Sequence, residues 1–417
     1  MNPTRRVAAL VALAALIAVA VQGAWGIAVA LGAGVLGLTV ADAMHLRRSN
    51  IAVTRTKVPT MARGVALRFE VRASGTGSRS VRLRQPVPPE LTVEPGEAAG
   101  DIDGTLVGRH RGVHTIPRTV ARIHGPLGLA SYDRYVGEAS EVAVMPDLPR
   151  ARRMGESRAR GRLAEVGKNR SRLGIGTEFE SIRDYSPDDD VRQINWTATA
   201  RVARPMSNQY RIDENRDLIC LVDAGRLMSA PIGSATRMDI ALDALAVLAV
   251  AAEHADDRVG IVAFGTTILR HLAPRRRGAD RVVRAVFDLE PTEIESDYEL
   301  AFAAVGSSKR ALVTLFTDLM DESATSSLLE ALPVLIRRHA VMAVTCVDED
   351  LIQAADQPPS SYYDVLRQAA AVDLLDRTAR SVDLMRRLGA LVVQASPSEL
   401  GAASVDGYLR LKRRARV

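Results

Sequence analysis

The chain has 417 residues, of which 47% are hydrophobic, 25% charged and only 4% aromatic, with a net charge of +6. Its basic surplus sits in short clusters (Arg5–Arg6, Arg47–Arg48, Arg150 to Arg172, Arg275–Arg277, Lys412 to Arg416). These lack the aromatic interleaving of a base-stacking platform, so no nucleic acid is expected as a partner. Cys220 and Cys346, the two cysteines, lie inside apolar runs, which excludes a disulfide framework and a zinc knuckle.

Residues 1–50 carry two uncharged apolar runs, Val7 to Val21 and Trp25 to Val40, separated by Gln22-Gly23. Each is near the lower length limit for a helix crossing a bilayer core. Arg5 and Arg6 flank one end of the pair, and Arg47, Arg48, Arg55 and Lys57 the other. The positive-inside rule then puts both ends in the cytoplasm. The expectation is a transmembrane helical hairpin in the inner (cytoplasmic) membrane, with Trp25 at the far interface and the main body cytoplasmic. No small-residue cleavage site separates the runs, which argues against a removable signal peptide.

Residues 51–149 alternate at period two. Val65 to Arg72, Ser80 to Arg84 and Gly104 to Gly108 read as short strands broken by Gly, Pro and Ser. Gly125-Pro126-Leu127-Gly128-Leu129-Ala130 reads as a turn before the last strand, Val142 to Met145. This pattern predicts a small β-sandwich-like module. His110, His114 and His124 fall here with no pattern of supporting residues around them and read as ordinary strand or turn histidines.

Residues 150–216 comprise an arginine-rich linker and a denser segment. The linker's apolar positions build no consistent face, which predicts an exposed connector. From Gly174 to Arg201 charges alternate with large apolar groups, and Ser186 to Asp190 is turn chemistry. The ordering Gly174-x-Gly176-x-Glu178-Phe179, Arg183-x-Tyr185, Asp190-x-Arg192-x-Ile194, Trp196 and Ala200-Arg201 resembles the signature of the bacterial "domain of unknown function 58" family. Asp189 stands where that family usually has glycine, and Asn195 where it usually has aspartate. The resemblance implies a tail similar to a von Willebrand factor A domain, and a MoxR-type AAA+ ATPase as partner. Read as residues, Glu178, Arg183 and Arg192 are expected to form ion pairs over packed Phe179, Tyr185 and Trp196; a recognition surface is the competing reading.

Residues 217–417 switch to strand–helix alternation. Leu218 to Val222, Arg258 to Phe264, Arg310 to Thr317, Ala340 to Val347 and Ala390 to Gln394 read as strands. Met238 to Glu253, Val282 to Phe287, Asp297 to Val305, Ser323 to Arg338, Tyr362 to Leu388 and Ser396 to Lys412 read as helices. The pattern predicts an open parallel α/β sheet with helices on both faces. Asp223 and Asp318 close two strands and are candidates for one Mg²⁺ or Mn²⁺ ion. This resembles the metal-ion-dependent adhesion site of the von Willebrand A fold, in which Ser296 takes the place of a threonine. Gly225 and Leu227 replace both serines of that site's first loop, and Arg226 adds a cation, so the site reads as degenerate and no cofactor is expected.

No Gly-x-Ser-x-Gly elbow, Gly-Lys-Ser/Thr loop or His-Glu-x-x-His motif is present. The expected function is therefore a membrane-anchored, non-catalytic adaptor or scaffold binding other proteins. The alternatives are a Mg²⁺-dependent adhesion protein and an enzyme acting through Glu178 and Asp190.

Overall fold

A computed structural model describes residues 2–20, 25–47, 51–75, 81–168, 178–186, 189, 191–211, 216–233, 235–306, 310–320 and 322–414. Gln22-Gly23, Gly174, Gly176 and Asp190 lie outside the described residues, as do the side chains of Glu178 and Phe179. The chain divides into two compact units, Met1–Asp147 and Leu148–Val417.

The first unit opens with strand β1 (Asn2–Pro3) and helices α1 (Arg5–Ala20) and α2 (Trp25–Arg47). One helical stretch, Trp25–Leu46, is long and apolar enough to cross a membrane. Its side chains are mostly uncovered: Ile27, Val29, Leu31, Leu36, Leu38 and Val40 are all exposed. α1 has 16 residues and rises about 24 Å, less than a hydrocarbon core of about 30 Å.

Eleven short strands follow: β2 (Ala52–Arg55), β3 (Thr60–Ala62), β4 (Leu67–Ser74), β5 (Val81–Arg84), β6 (Leu91–Glu94), β7 (Glu97–Ala99), β8 (Ile102–Gly108), β9 (Gly112–Ile116), β10 (Thr119–His124), β11 (Ala130–Val136) and β12 (Ser140–Met145). They form sheets in the orders β1-β11-β10-β5-β7, β2-β4-β8-β6 and β3-β12-β9. Period-two alternation sends Phe69 and Val71, Leu83, Ile102 and Leu106, Ala121 and Ile123, and Val142 and Val144 into one shared core.

The second unit begins with α3 (Leu148–Lys168), then β13 (Glu178–Asp184), α4 (Trp196–Val202) and β14 (Met206–Arg211). Here the structure departs from the exposed connector read from the sequence. Leu148, Ala151 and Met154 of α3 pack into the unit's core. The contact is a short stripe at the start of the helix, completed by the small residues Ala151 and Gly155. A Cβ on Gly155 would lie 2.8 Å from the Val247 carbonyl oxygen, so glycine is what lets the two helices approach.

The remaining elements are β15 (Asp217–Asp223), β16 (Pro231–Ile232), β17 (Ala235–Thr236), α5 (Arg237–His254), β18 (Arg258–Phe264), β19 (Ile268–Arg275), α6 (Ala279–Val286), α7 (Tyr298–Ala304), β20 (Leu312–Phe316), α8 (Glu322–Arg338), β21 (Ala340–Cys346), α9 (Glu349–Asp356), α10 (Tyr362–Leu388), β22 (Leu391–Ala395) and α11 (Leu400–Arg414). The main sheet runs β19-β18-β15-β20-β21-β22, parallel except for the edge strand β19. The unit is therefore mixed α/β with a mostly parallel sheet. Along β15, Leu218, Cys220 and Val222 enter one apolar cluster and Ile219 and Leu221 another. A strand covered on both faces must be apolar at every position, which is why it reads as an unbroken run. The first cluster lies under α3, α5, α6 and α11, the second under α7, α8 and α10. β19 and α9 escape the sequence pattern, because β19 is an edge strand whose arginines and Pro274 leave it half exposed.

Candidate functional site

β15 leads through α5 to β18 on one side and is flanked by β20 on the other. A crevice beyond the carboxyl ends of the strands at such a switch point is the usual ligand position in open parallel sheets. Asp223 ends β15 there and Asp318 follows β20; both are buried.

The Asp223 carboxyl is saturated by the protein itself. Its Oδ1 accepts from Gly225 N–H at 2.8 Å and Ser296 Oγ at 2.5 Å. Oδ2 accepts from Tyr298 OH at 2.8 Å and Thr317 Oγ1 at 2.6 Å. Burial, and then the adjoining Asp223 charge, raise the Tyr298 pKa well above its ordinary value. Tyr298 thus stays a protonated donor. The glycine at 225 has a packing cause: a Cβ would lie 2.7 Å from Ser296 Oγ and 3.1 Å from Asp223 Oδ1. A serine there would displace the very hydroxyl that serves Asp223.

Asp318 is matched by a cation. Arg237, the first residue of α5, is 5% exposed and sets Nε 3.2 Å from Asp318 Oδ2. Its Nη2 lies 3.5 Å from Asp348 Oδ2 and 2.8 Å from Met320 Sδ. Leu319 N–H donates to Asp318 Oδ1 at 2.7 Å. Burial pushes the Asp318 pKa up, against the lowering effect of Arg237 and the backbone donors. Arg226 instead pairs with the exposed Glu295, at 3.1 Å.

The structure brings Asp223 and Ser296 within hydrogen-bond distance, with Asp318 at the same edge. It fills their coordination with hydroxyls and a guanidinium. Among the described residues no group of three or more His, Cys, Asp and Glu side chains is arranged to hold a metal. Sequence reasoning missed Tyr298, Thr317 and Arg237. Thr317 had a signal, being the residue before a strand-end aspartate; Arg237, 81 residues away from Asp318 in sequence, had none.

A second candidate is the signature element. β13 and β14 pair antiparallel, Arg183 opposite Ser207 and Asp184 opposite Met206. Both departures from the family pattern are put to use. Asn195 caps α4, its Oδ1 accepting from Ala198 N–H at 2.9 Å, while its Nδ2 donates to Asn208 Oδ1 at 2.8 Å. An aspartate could make the first bond but not donate the second. Asp189 accepts from Ser186 N–H at 2.9 Å and from Arg183 Nη2 at 2.5 Å. The Ser186 amide first, then Arg183, hold its carboxyl below the usual range. Arg183 therefore pairs with Asp189, and Arg204 with Asp184 at 3.2 Å.

Trp196 does not pack beneath these charges. It opens α4 and is 69% exposed. Tyr185 is half-buried, while Ile182 on β13, Val191 between β13 and α4, and Val202 on α4 are exposed. The short α4 has no opposite face to hide: none of its residues is buried. Arg192 and Arg201 are exposed as well.

Residues 181–353 match the model of the family described as protein of unknown function DUF58. The matched region starts inside β13 and covers both candidate sites. The chain is also 24% identical over 191 residues to uncharacterised proteins of Mycobacterium bovis and of two strains of Mycobacterium tuberculosis. The alignments cover 44% of this chain and 59% of each relative, so the chain spans well under two thirds of the curated relatives it matches.

Proposed function

We propose that the protein is a membrane-anchored, non-catalytic scaffold that docks a partner protein on the Trp196 element. The observation that carries this reading is the exposure of Trp196, with Ile182, Val191 and Val202, within one short stretch of the chain. An exposed tryptophan in a stretch that also exposes Arg192 and Arg201 has the composition of an interaction hot spot. In this reading α1 and α2 form the anchor and the body is cytoplasmic. The Leu148–Val417 unit is a von Willebrand A-like domain whose adhesion site works without metal, Arg237 standing where a cation would be needed. A MoxR-type AAA+ ATPase is the partner that the signature resemblance implies, in assembly or remodelling of other proteins.

The test is recovery of partners from detergent extracts with wild type, Trp196→Ala and Asp223→Ala/Asp318→Ala, each with Mg²⁺ and with chelator. The scaffold reading expects an AAA+ ATPase with the wild type regardless of Mg²⁺, and its loss with Trp196→Ala. Undiminished recovery by Trp196→Ala sinks it. Recovery that needs Mg²⁺ and both aspartates would support the adhesion reading instead.

A further inference from the structure

The helical pair meets the β-strand module of the first unit through Leu46, which enters the module's core, through the β1–β11 pairing, and at the loop 125–130, whose geometry extends the anchor reading on which this inference rests. Asp42 lies near the end of α2 and is 2% exposed, on a helix most of whose preceding apolar side chains are uncovered. Its carboxyl oxygens accept from the backbone N–H groups of Leu127 at 3.2 Å, Leu129 at 3.0 Å and Ala130 at 2.9 Å. A polar group at this position of a spanning helix is costly unless it is paired, and three amides of one loop pair it. A Cβ on Gly125 would come within 2.2 Å of the Asp42 carboxyl, so this glycine makes the seat.

The same loop holds the start of α1. Thr4 N–H donates to Leu129 O at 3.0 Å, and Thr4 Oγ1 to Gly128 O at 2.7 Å. Both helix ends are therefore fixed to residues 125–130 at one level. Trp25 to Ala41 precedes Asp42 with an uncharged stretch that rises about 25 Å, close to a hydrocarbon core of about 30 Å. Asp42, and the loop bonded to it, then fall at the edge of that core. The exposed side chains of the loop are apolar: Pro126 is exposed and Leu127 is 51% exposed; Met44, on α2 just beyond Asp42, is exposed too. Arg5 and Arg6 are exposed beside the Thr4 contact, where headgroup phosphates attract cations.

We propose that loop 125–130 is itself a membrane-contact element. Leu127 inserts at the boundary between headgroups and acyl chains, and Asp42 is the positioning residue that holds the loop there. The β-strand module thereby rests on the bilayer rather than hanging from it.

The test uses the full chain in phosphatidylcholine–phosphatidylglycerol vesicles, with single added cysteines carrying an environment-sensitive fluorophore. The positions are Leu127→Cys, Leu36→Cys on α2 and Tyr135→Cys, a 71% exposed site on the same module. Lipids bearing a quencher near the headgroup, or at mid-chain, report depth. The proposal expects quenching of the Leu127 probe by the shallow quencher, of Leu36 by the deep one, and of Tyr135 by neither. A quenched Leu36 with an unquenched Leu127 overturns the loop contact and leaves the anchor standing. An unquenched Leu36 overturns both. Adding Asp42→Asn is expected to red-shift the Leu127 probe and lower its quenching while Leu36 is unchanged. An unaltered Leu127 signal would overturn the role of Asp42.

Discussion

The guanidinium of Arg237 and the carboxyl of Asp318 face each other 3.2 Å apart, both buried, at the carboxyl edge of the main sheet. A buried ion pair broken on one side leaves an uncompensated charge. Arg237→Met is therefore expected to destabilise the unit by about 3–5 kcal/mol, read by urea denaturation. Because a guanidinium already neutralises Asp318, the thermal midpoint of the wild type should be the same in Mg²⁺ and in chelator. A midpoint that rises with Mg²⁺ would mean that the edge binds metal after all.

A second buried pair closes the opposite edge. Lys412 Nζ lies 2.6 Å from Asp257 Oδ1, both side chains almost fully buried, and Tyr408 OH and Arg216 N–H donate to the same carboxyl. This ties α11 to the start of β18. Lys412→Met should cost about 3–5 kcal/mol, while Lys412→Met with Asp257→Asn should recover part of that loss, since no bare charge remains. A single variant as stable as wild type would show the pair to be dispensable. A cavity of about 520 Å³ adjoins this edge, lined by Arg152, Glu253, Asp256, Asp257, Arg276 and Asp280 among others. Its charges are largely consumed internally, Arg152 by Asp280 and Asp257 by Lys412.

What was legible in the sequence divides along a physical line. The strands β15, β18, β20 and β21 are covered on both faces, so burial forces continuous apolar runs and their limits are read almost residue by residue. α10 was read to the residue because Ser361 caps it and Gly389 ends it with φ near 106°. α3 was misread because its buried face is short, Leu148, Ala151, Met154 and Gly155 at the start of an arginine-rich run, and two of the four are too small to leave an apolar signal. At the candidate site the strand-end aspartates were visible, since charge at the end of an apolar run stands out. Their partners were not: Arg237 reaches Asp318 only through the chain's path from β15 to β20. The burial of Trp196 was expected from its large apolar surface, but a seven-residue helix offered nothing to cover it.

Burial pushes both thiols up to about 12, Cys220 inside β15 and Cys346 at the end of β21. The thiolate is the reactive form, so neither should react with a disulfide reagent at pH 8 while the protein is folded. Both should titrate at once in guanidinium. A fast-reacting thiol in the native protein would show that one of the two strands opens.

His339 provides a pH dependence with a defined sign. It sits between α8 and β21, buried, with Ala311 N–H donating to Nδ1 at 3.2 Å and Nε2 lying 3.2 Å from Gly306 O. An acceptor at Nδ1 requires the neutral ring with its proton on Nε2, donating to Gly306. Burial first, then the charges of Arg338 and Arg310, lower its pKa from 6.5, against the raising effect of the Gly306 bond. The unfolded chain therefore takes up a proton at a higher pH than the folded one. The stability contributed by His339 is complete above the unfolded value and declines as pH falls through 6.5 toward the folded value. Wild type should lose unfolding free energy between pH 7.5 and pH 5.5 more steeply than His339→Gln, whose amide does not titrate. Parallel pH profiles for the two proteins would remove His339 as the source of that slope.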